Sequence, residues 1–119
     1  MLCIQSEAVV PLPMPKLVEL LTDLSKRGSY DKHFERGTLL ANMPLNTEIV
    51  HTVLKKIMVV GPRDLYTVTK CLRVAKNITV IASQSLAPNE ENEALSAKVP
   101  AVDEGVVRGH LHLGGFLIR

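Results

Sequence analysis

The sequence predicts an α+β domain, a curved antiparallel sheet with one or two helices near the N-terminus. Three observations carry this. Residues 15–27 show helical spacing of apolar side chains. From residue 37 onward the pattern changes to alternating or β-branched runs. The connections between those runs are short, and consecutive strands joined by short turns pair antiparallel.

Taken in order, residues 2–10 read as a strand, bounded by Pro11 and Pro13. Pro15 suits the first turn of a helix, where its missing N–H is no loss. Leu17, Val18, Leu20, Leu21 and Leu24 then follow the i, i+3, i+4, i+7 spacing of an amphipathic helix. Lys26 and Arg27 suit the negative end of the helix dipole, and Gly28 supplies a stop. Ser29 can cap one further turn through Phe34. Residues 37–43 form a candidate strand, with Pro44-Leu45-Asn46 as a turn. Residues 47–54 alternate or are β-branched throughout, and 65–74 form a longer β-branched stretch. Ala75-Lys76-Asn77 is a tight connection to residues 78–86, so these two runs make a hairpin. Residues 87–105 are polar and acidic, with five acids against Lys98, and read as a surface loop. Residues 106–113 form a last full strand, and Gly114-Gly115 leads into 116–118.

Composition narrows the function classes. A chain of 119 residues suits one domain, here residues 1–119. It is 46% hydrophobic with only two Tyr and two Phe, so the core is aliphatic. Such a chain is not disordered, and two distant cysteines do not make a disulfide scaffold. The longest apolar run is Ile57-Met58-Val59-Val60, too short to span a bilayer. No basic region precedes a long apolar one at the N-terminus. A cytoplasmic protein with free thiols is the expectation. The net charge of +2 comes with scattered bases and few aromatics, which argues against nucleic acid as a partner.

Catalytic and metal chemistry find little support. His110-x-His112 would put two imidazoles on one strand face, but Cys3, Cys71, His33 and His51 are dispersed and offer no third ligand; two ordinary strand histidines are the simpler reading. Cys71 lies in an apolar strand, where a buried inert thiol is the usual outcome. Neither paired acids nor a base beside a nucleophile occurs at catalytic spacing. Gly114-Gly115 follows a strand without a following helix, so it does not read as a phosphate cradle. No enzyme, cofactor or metal is expected.

One stretch is physically odd. Lys55-Lys56-Ile57-Met58-Val59-Val60-Gly61-Pro62 places four apolar residues in or beside a connection, behind two lysines. Either the preceding strand continues and packs Val59 and Val60 inside, or this is an apolar loop tip that touches a membrane. In the second case Lys55 and Lys56 meet anionic head groups, at roughly 1 kcal/mol per residue.

The order of motifs resembles a known family. Tyr30-Asp31-Lys32-His33-Phe34 resembles the Trp-Asp-Lys segment after the first internal helix of START (StAR-related lipid transfer) domains. Thr47-Glu48-Ile49-Val50-His51 is similar to the strand that follows, and Gly61-Pro62-Arg63-Asp64-Leu65 to the family's Pro-Arg-Asp-aromatic signature, with Leu65 departing from it. Ser83-Gln84-Ser85-Leu86, Val107-Arg108-Gly109 and Gly114-Gly115-Phe116-Leu117-Ile118 resemble later family motifs. The resemblance covers nearly the whole chain but only the middle of the family's domain. It implies an incomplete helix-grip fold, without the family's N-terminal elements and its long C-terminal helix, and makes the length read as truncation.

The resemblance further implies non-enzymatic lipid binding or transfer through an apolar pocket, with sterol, phospholipid or another acyl lipid as partner. The connection before Pro-Arg-Asp is the family's mobile gate loop, here Lys56, Ile57, Met58, Val59, Val60 and Gly61, making transient membrane contact. Sterol-binding members hold a charged pair at positions aligned with Thr52 and Thr69. Tyr30, Asp31, Arg63, Asp64 and Arg108 match family positions, and a structural role is expected for them. The inward-facing residues of the second strand are Ile49, His51 and Val53, or Val50, Thr52 and Leu54; both sets contain apolar residues, so alternation leaves the phase open. The family alignment favours the threonine phase, making Thr52, Leu54, Thr67, Thr69 and Cys71 the lipid-binding candidates. The competing reading is a truncated interaction module whose open sheet pairs with a partner protein or a second copy, forming a homodimer without carrying lipid. A cyclase-like enzymatic reading rests on fold analogy alone.

Overall fold

A helix, a short 3₁₀ segment and six strands make up the computed structural model, which describes residues 3–86 and 102–119. The elements are α1 (Met14–Thr22), the 3₁₀ segment Leu24–Ser29, β1 (Phe34–Met43), β2 (Thr47–Leu54), β3 (Arg63–Ala75), β4 (Ile78–Ser85), β5 (Val107–Arg108) and β6 (Gly114–Ile118). The sheet order is β1-β2-β3-β4-β6, antiparallel at every step, with β5 beside the start of β3 in a short parallel pair. The predicted antiparallel α+β architecture is therefore present, with one parallel addition. Register shifts interrupt β1 at Phe34/Arg36 and Leu39/Ala41, and the β3–β4 pair at Arg73/Ala75. Such bulges bend a strand and increase its twist.

The tightly spaced strands follow their sequence patterns closely. β2 occupies the whole alternating run, and Lys76-Asn77 closes the β3–β4 hairpin. Four expectations are corrected. Residues 3–10 belong to no strand, because they pair with no described strand; an exposed ion pair joins Glu7 to Arg119 at 2.9 Å. Residue 2 lies outside the described residues, as does most of the acidic stretch (87–101).

The helix ends at Thr22 rather than continuing to Arg27. Asp23 turns to extended backbone (φ −84°, ψ 104°), and its carboxylate accepts from the Ser25 amide at 3.0 Å and the Ser25 hydroxyl at 2.6 Å. An Asp side chain that satisfies local backbone donors competes with helix propagation. The break redirects Leu24 onto β1, where a Cβ on Gly37 would come within 2.7 Å of the leucine side chain. No further helical turn forms after Ser29; Asp31 instead accepts the His33 amide at 3.0 Å and leads into β1.

The expected strand over 106–113 is reduced to Val107–Arg108. The chain must then cross the end of β4 to reach its opposite edge. Gly109 donates to the Asp64 carbonyl at 2.8 Å, and Leu111 exchanges hydrogen bonds with Ser85 at 2.7 and 2.8 Å. Residues 109–113 thus serve the crossing. His110 and His112 meet edge to face there, with ring centroids 4.6 Å apart, rather than standing side by side on a strand. Gly115 begins the return path with φ +149°, and a Cβ there would lie 1.9 Å from the Ile81 carbonyl oxygen, so only glycine fits.

Candidate functional site

α1 and the 3₁₀ segment sit over one face of the sheet, and a cavity of about 260 Å³ lies between them. Ligand pockets usually span roughly 300–1,000 Å³, so this one is small. Its floor comes from alternate residues of β2 and β3: Glu48, Val50 and Thr52, then Leu65, Thr67, Thr69 and Cys71. Ile81 and Ser83 of β4 and Phe116 of β6 extend it, and Leu111 from the crossing closes one side. Leu21 and Leu24 form the apolar roof. The strand period of two puts every second residue on this inner face, which explains why the lining mixes aliphatic side chains with hydroxyls.

The hydroxyls are ordered by their neighbours. Thr69 and Ser83 oppose each other across β3 and β4 and share a 2.7 Å hydrogen bond. Thr52 and Thr67 are buried. Burial pushes the Cys71 thiol up, and the neighbouring Glu48 charge adds to this, so the thiol is a poor nucleophile. At the helical end, Arg27 donates from Nε to the Asp31 carboxylate at 3.1 Å and lies over the Phe34 ring, 5.3 Å from its centroid. Tyr30 and Asp31 border the cavity here, so these two family-motif residues lie beside the site.

Of the expected lipid-binding residues, Thr52, Thr67, Thr69 and Cys71 line the cavity together. Leu54 shares their parity but pairs with Phe34 at the sheet's end, outside the lining. Glu48, Ser83 and Phe116 lie in family-like motifs of the sequence but are not among its lipid-binding candidates, and all three line the cavity. Glu48 carries the same alternation as Thr52, four residues earlier, so that pattern contained the signal; Phe116 required the tertiary course of β6.

Ile49, His51 and Val53 occupy the opposite face, together with Asp64 and Tyr66. Asp64 is 2% exposed and binds the Arg108 guanidinium through both oxygens, at 2.6 and 2.9 Å, while His51 Nε2 lies 2.9 Å from Oδ2. Burial alone would raise the Asp64 carboxyl, but the Arg108 and His51 hydrogen bonds and the Arg108 charge outweigh it and hold it below the usual range. Asp64 and Arg108 therefore tie β2, β3 and β5 together, away from the cavity. Arg63 pairs in register with Leu54 and Val107 at the same end.

The loop between β2 and β3 projects from this end as a tight turn. Ile57 and Val60 exchange backbone hydrogen bonds at 3.0 and 2.8 Å, and Met58 takes φ +52°. Met58 and Val59 are 88% and 96% exposed, so β2 does not continue through them.

An open, mostly antiparallel sheet with a helix-roofed cavity on one face defines the class: an α+β domain of the helix-over-curved-sheet kind. The START domain family model matches residues 3–119, and the chain belongs to that family. No curated protein matches the chain. The family is associated with lipid binding and transfer. Among the described residues no helix is long and apolar enough to cross a membrane, and no three His, Cys, Asp or Glu side chains converge as metal ligands.

Proposed function

We propose that this chain binds, and transfers between membranes, a lipid held in the cavity between the helical segments and the inner face of β2, β3 and β4. One observation carries the reading: a START-family chain has a cavity in which Leu21, Leu24, Val50, Leu65, Ile81 and Phe116 alternate with the hydroxyls of Thr52, Thr67, Thr69 and Ser83, with charged side chains also on its border. Each CH₂ moved from water into such a cavity contributes roughly 0.8 kcal/mol, and Thr52, Thr67 and Thr69 supply hydrogen bonds for one polar end. The mechanism is non-covalent, with no catalytic residue.

The exposed Met58–Val59 turn is the membrane-touching gate, with Lys55 and Lys56 at its base facing anionic head groups. Such contact would make the protein peripheral to the membrane surface. Native mass spectrometry of the purified protein will show a bound lipid, or its extraction from mixed liposomes. Stoichiometric binding to none of a broad lipid panel would count decisively against the reading.

A second reading has its own observation. β6 is an edge strand whose Phe116 and Leu117 are 50% and 64% exposed, a surface suited to pairing with a partner protein or a second copy.

A further inference from the structure

The charged side chains that border the cavity are not all accounted for by one another. Arg27 and Asp31 form an ion pair at 3.1 Å. Asp23 is engaged by Ser25 and lies 3.8 Å from Lys26. Glu48 has neither an ion pair nor a hydrogen bond among the described residues. It is half-buried on β2, opposite Thr69 in register, and close enough to Cys71 for its charge to act on the thiol. Arg27 is the one cation among the described lining residues, and its charge is already met by Asp31.

An aliphatic ligand entering this cavity would strip water from Glu48. Removing water from an unpaired carboxylate is costly, and the cost is relieved when the incoming group is a cation or donates a hydrogen bond. A second anion would add repulsion. We propose that Glu48 selects the ligand by charge: the cavity takes an aliphatic lipid ending in a protonated amine best, a neutral hydroxyl next, and a carboxylate or phosphate least. This rests on the lipid-binding reading above and adds the ligand's chemical class to it.

Three probes with one chain and different ends separate the cases: dodecylamine, dodecanol and dodecanoate, each below its micelle concentration, titrated at about pH 7 into wild type, Glu48→Gln and Glu48→Lys. Wild type will prefer the amine over the alcohol by about fivefold and the alcohol over the acid by a similar factor, the size of one partly exposed ion pair. Glu48→Gln will remove most of the amine preference while dodecanol affinity stays within about twofold, a pattern that general loss of packing does not produce. Glu48→Lys will invert the order. An unchanged preference in Glu48→Gln overturns the proposal even if Glu48→Lys does not fold. Equal wild-type binding of all three probes keeps the lipid reading and overturns the charge selection, whereas binding of none overturns both.

Discussion

Asp64 shows how one residue can matter to the fold without touching the cavity. Its carboxylate is buried, and Arg108 supplies the main opposing charge from β5. Asp64→Asn weakens the charge-assisted hydrogen bonds that a buried carboxylate makes with Arg108 and His51, a loss of about 1.5–3 kcal/mol, so it will lower the melting temperature at neutral pH. The sign with pH follows from the depressed carboxyl. Its stabilisation is complete above the ordinary Asp value of 3.8 and is lost as pH falls below it, through the folded-state value. The gap between wild type and Asp64→Asn will therefore be complete well above 3.8 and will close as pH falls below it, through the depressed folded-state value. Thermal unfolding followed across that range checks this; a gap independent of pH means the ion pair is not its source.

The turn after β2 belongs to the scale of the element. A left-handed Met58 costs about 1 kcal/mol or more relative to glycine, and the turn exposes two apolar side chains at its tip. Local stability does not favour that arrangement. Contact with an apolar phase would, since burying a Val or Met side chain contributes about 1.5–3 kcal/mol. Substituting both tip residues, Met58→Asp with Val59→Asp, will weaken partitioning to anionic vesicles at least tenfold, because both apolar contributions are lost and two charges are added. The melting temperature will barely change, because neither side chain packs on the protein. Sedimentation with vesicles reads the first effect and circular dichroism the second; unchanged partitioning would remove the turn from the membrane-contact reading.

At the scale of the molecule, the described fold is open. Its radius of gyration is 15.0 Å, against about 13.5 Å for a compact chain of this length. β1 and β6 are both edges, and Phe116 at the second edge is both cavity lining and half exposed. A lipid chain would cover part of that inner face. The lipid-bound protein will therefore run as a monomer near 13.1 kDa in light scattering. A particle of twice that mass, persisting with lipid bound, would favour the edge-pairing reading.

The sequence by itself determined where strands lie whenever alternation and turn chemistry acted over a few neighbours: β2, the β3–β4 hairpin and the class of the fold were legible for that reason. It also carried the family motifs, and the apolar run from Ile57 to Val60 that stands out as a projecting turn. Local pattern failed where a single polar contact or a long-range crossing intervened. Asp23 diverts the helix through its own side chain, Ser85 draws Leu111 out of a strand, and residues 3–10 have strand-forming composition but pair with neither edge of the sheet. Alternation by itself left open which phase of β2 faces the cavity, and the tertiary structure fixes it. Both sets of alternate residues contain buried apolar side chains, Ile49 and Val53 on one face and Val50 on the other, so hydrophobicity cannot choose between them. The choice is made by the helical segments lying over Val50, Thr52 and Thr67, while Asp64 and Arg108 occupy the opposite side. Only that placement turns Glu48 from an ordinary strand carboxylate into a charge at the wall of the cavity with no partner among the described residues.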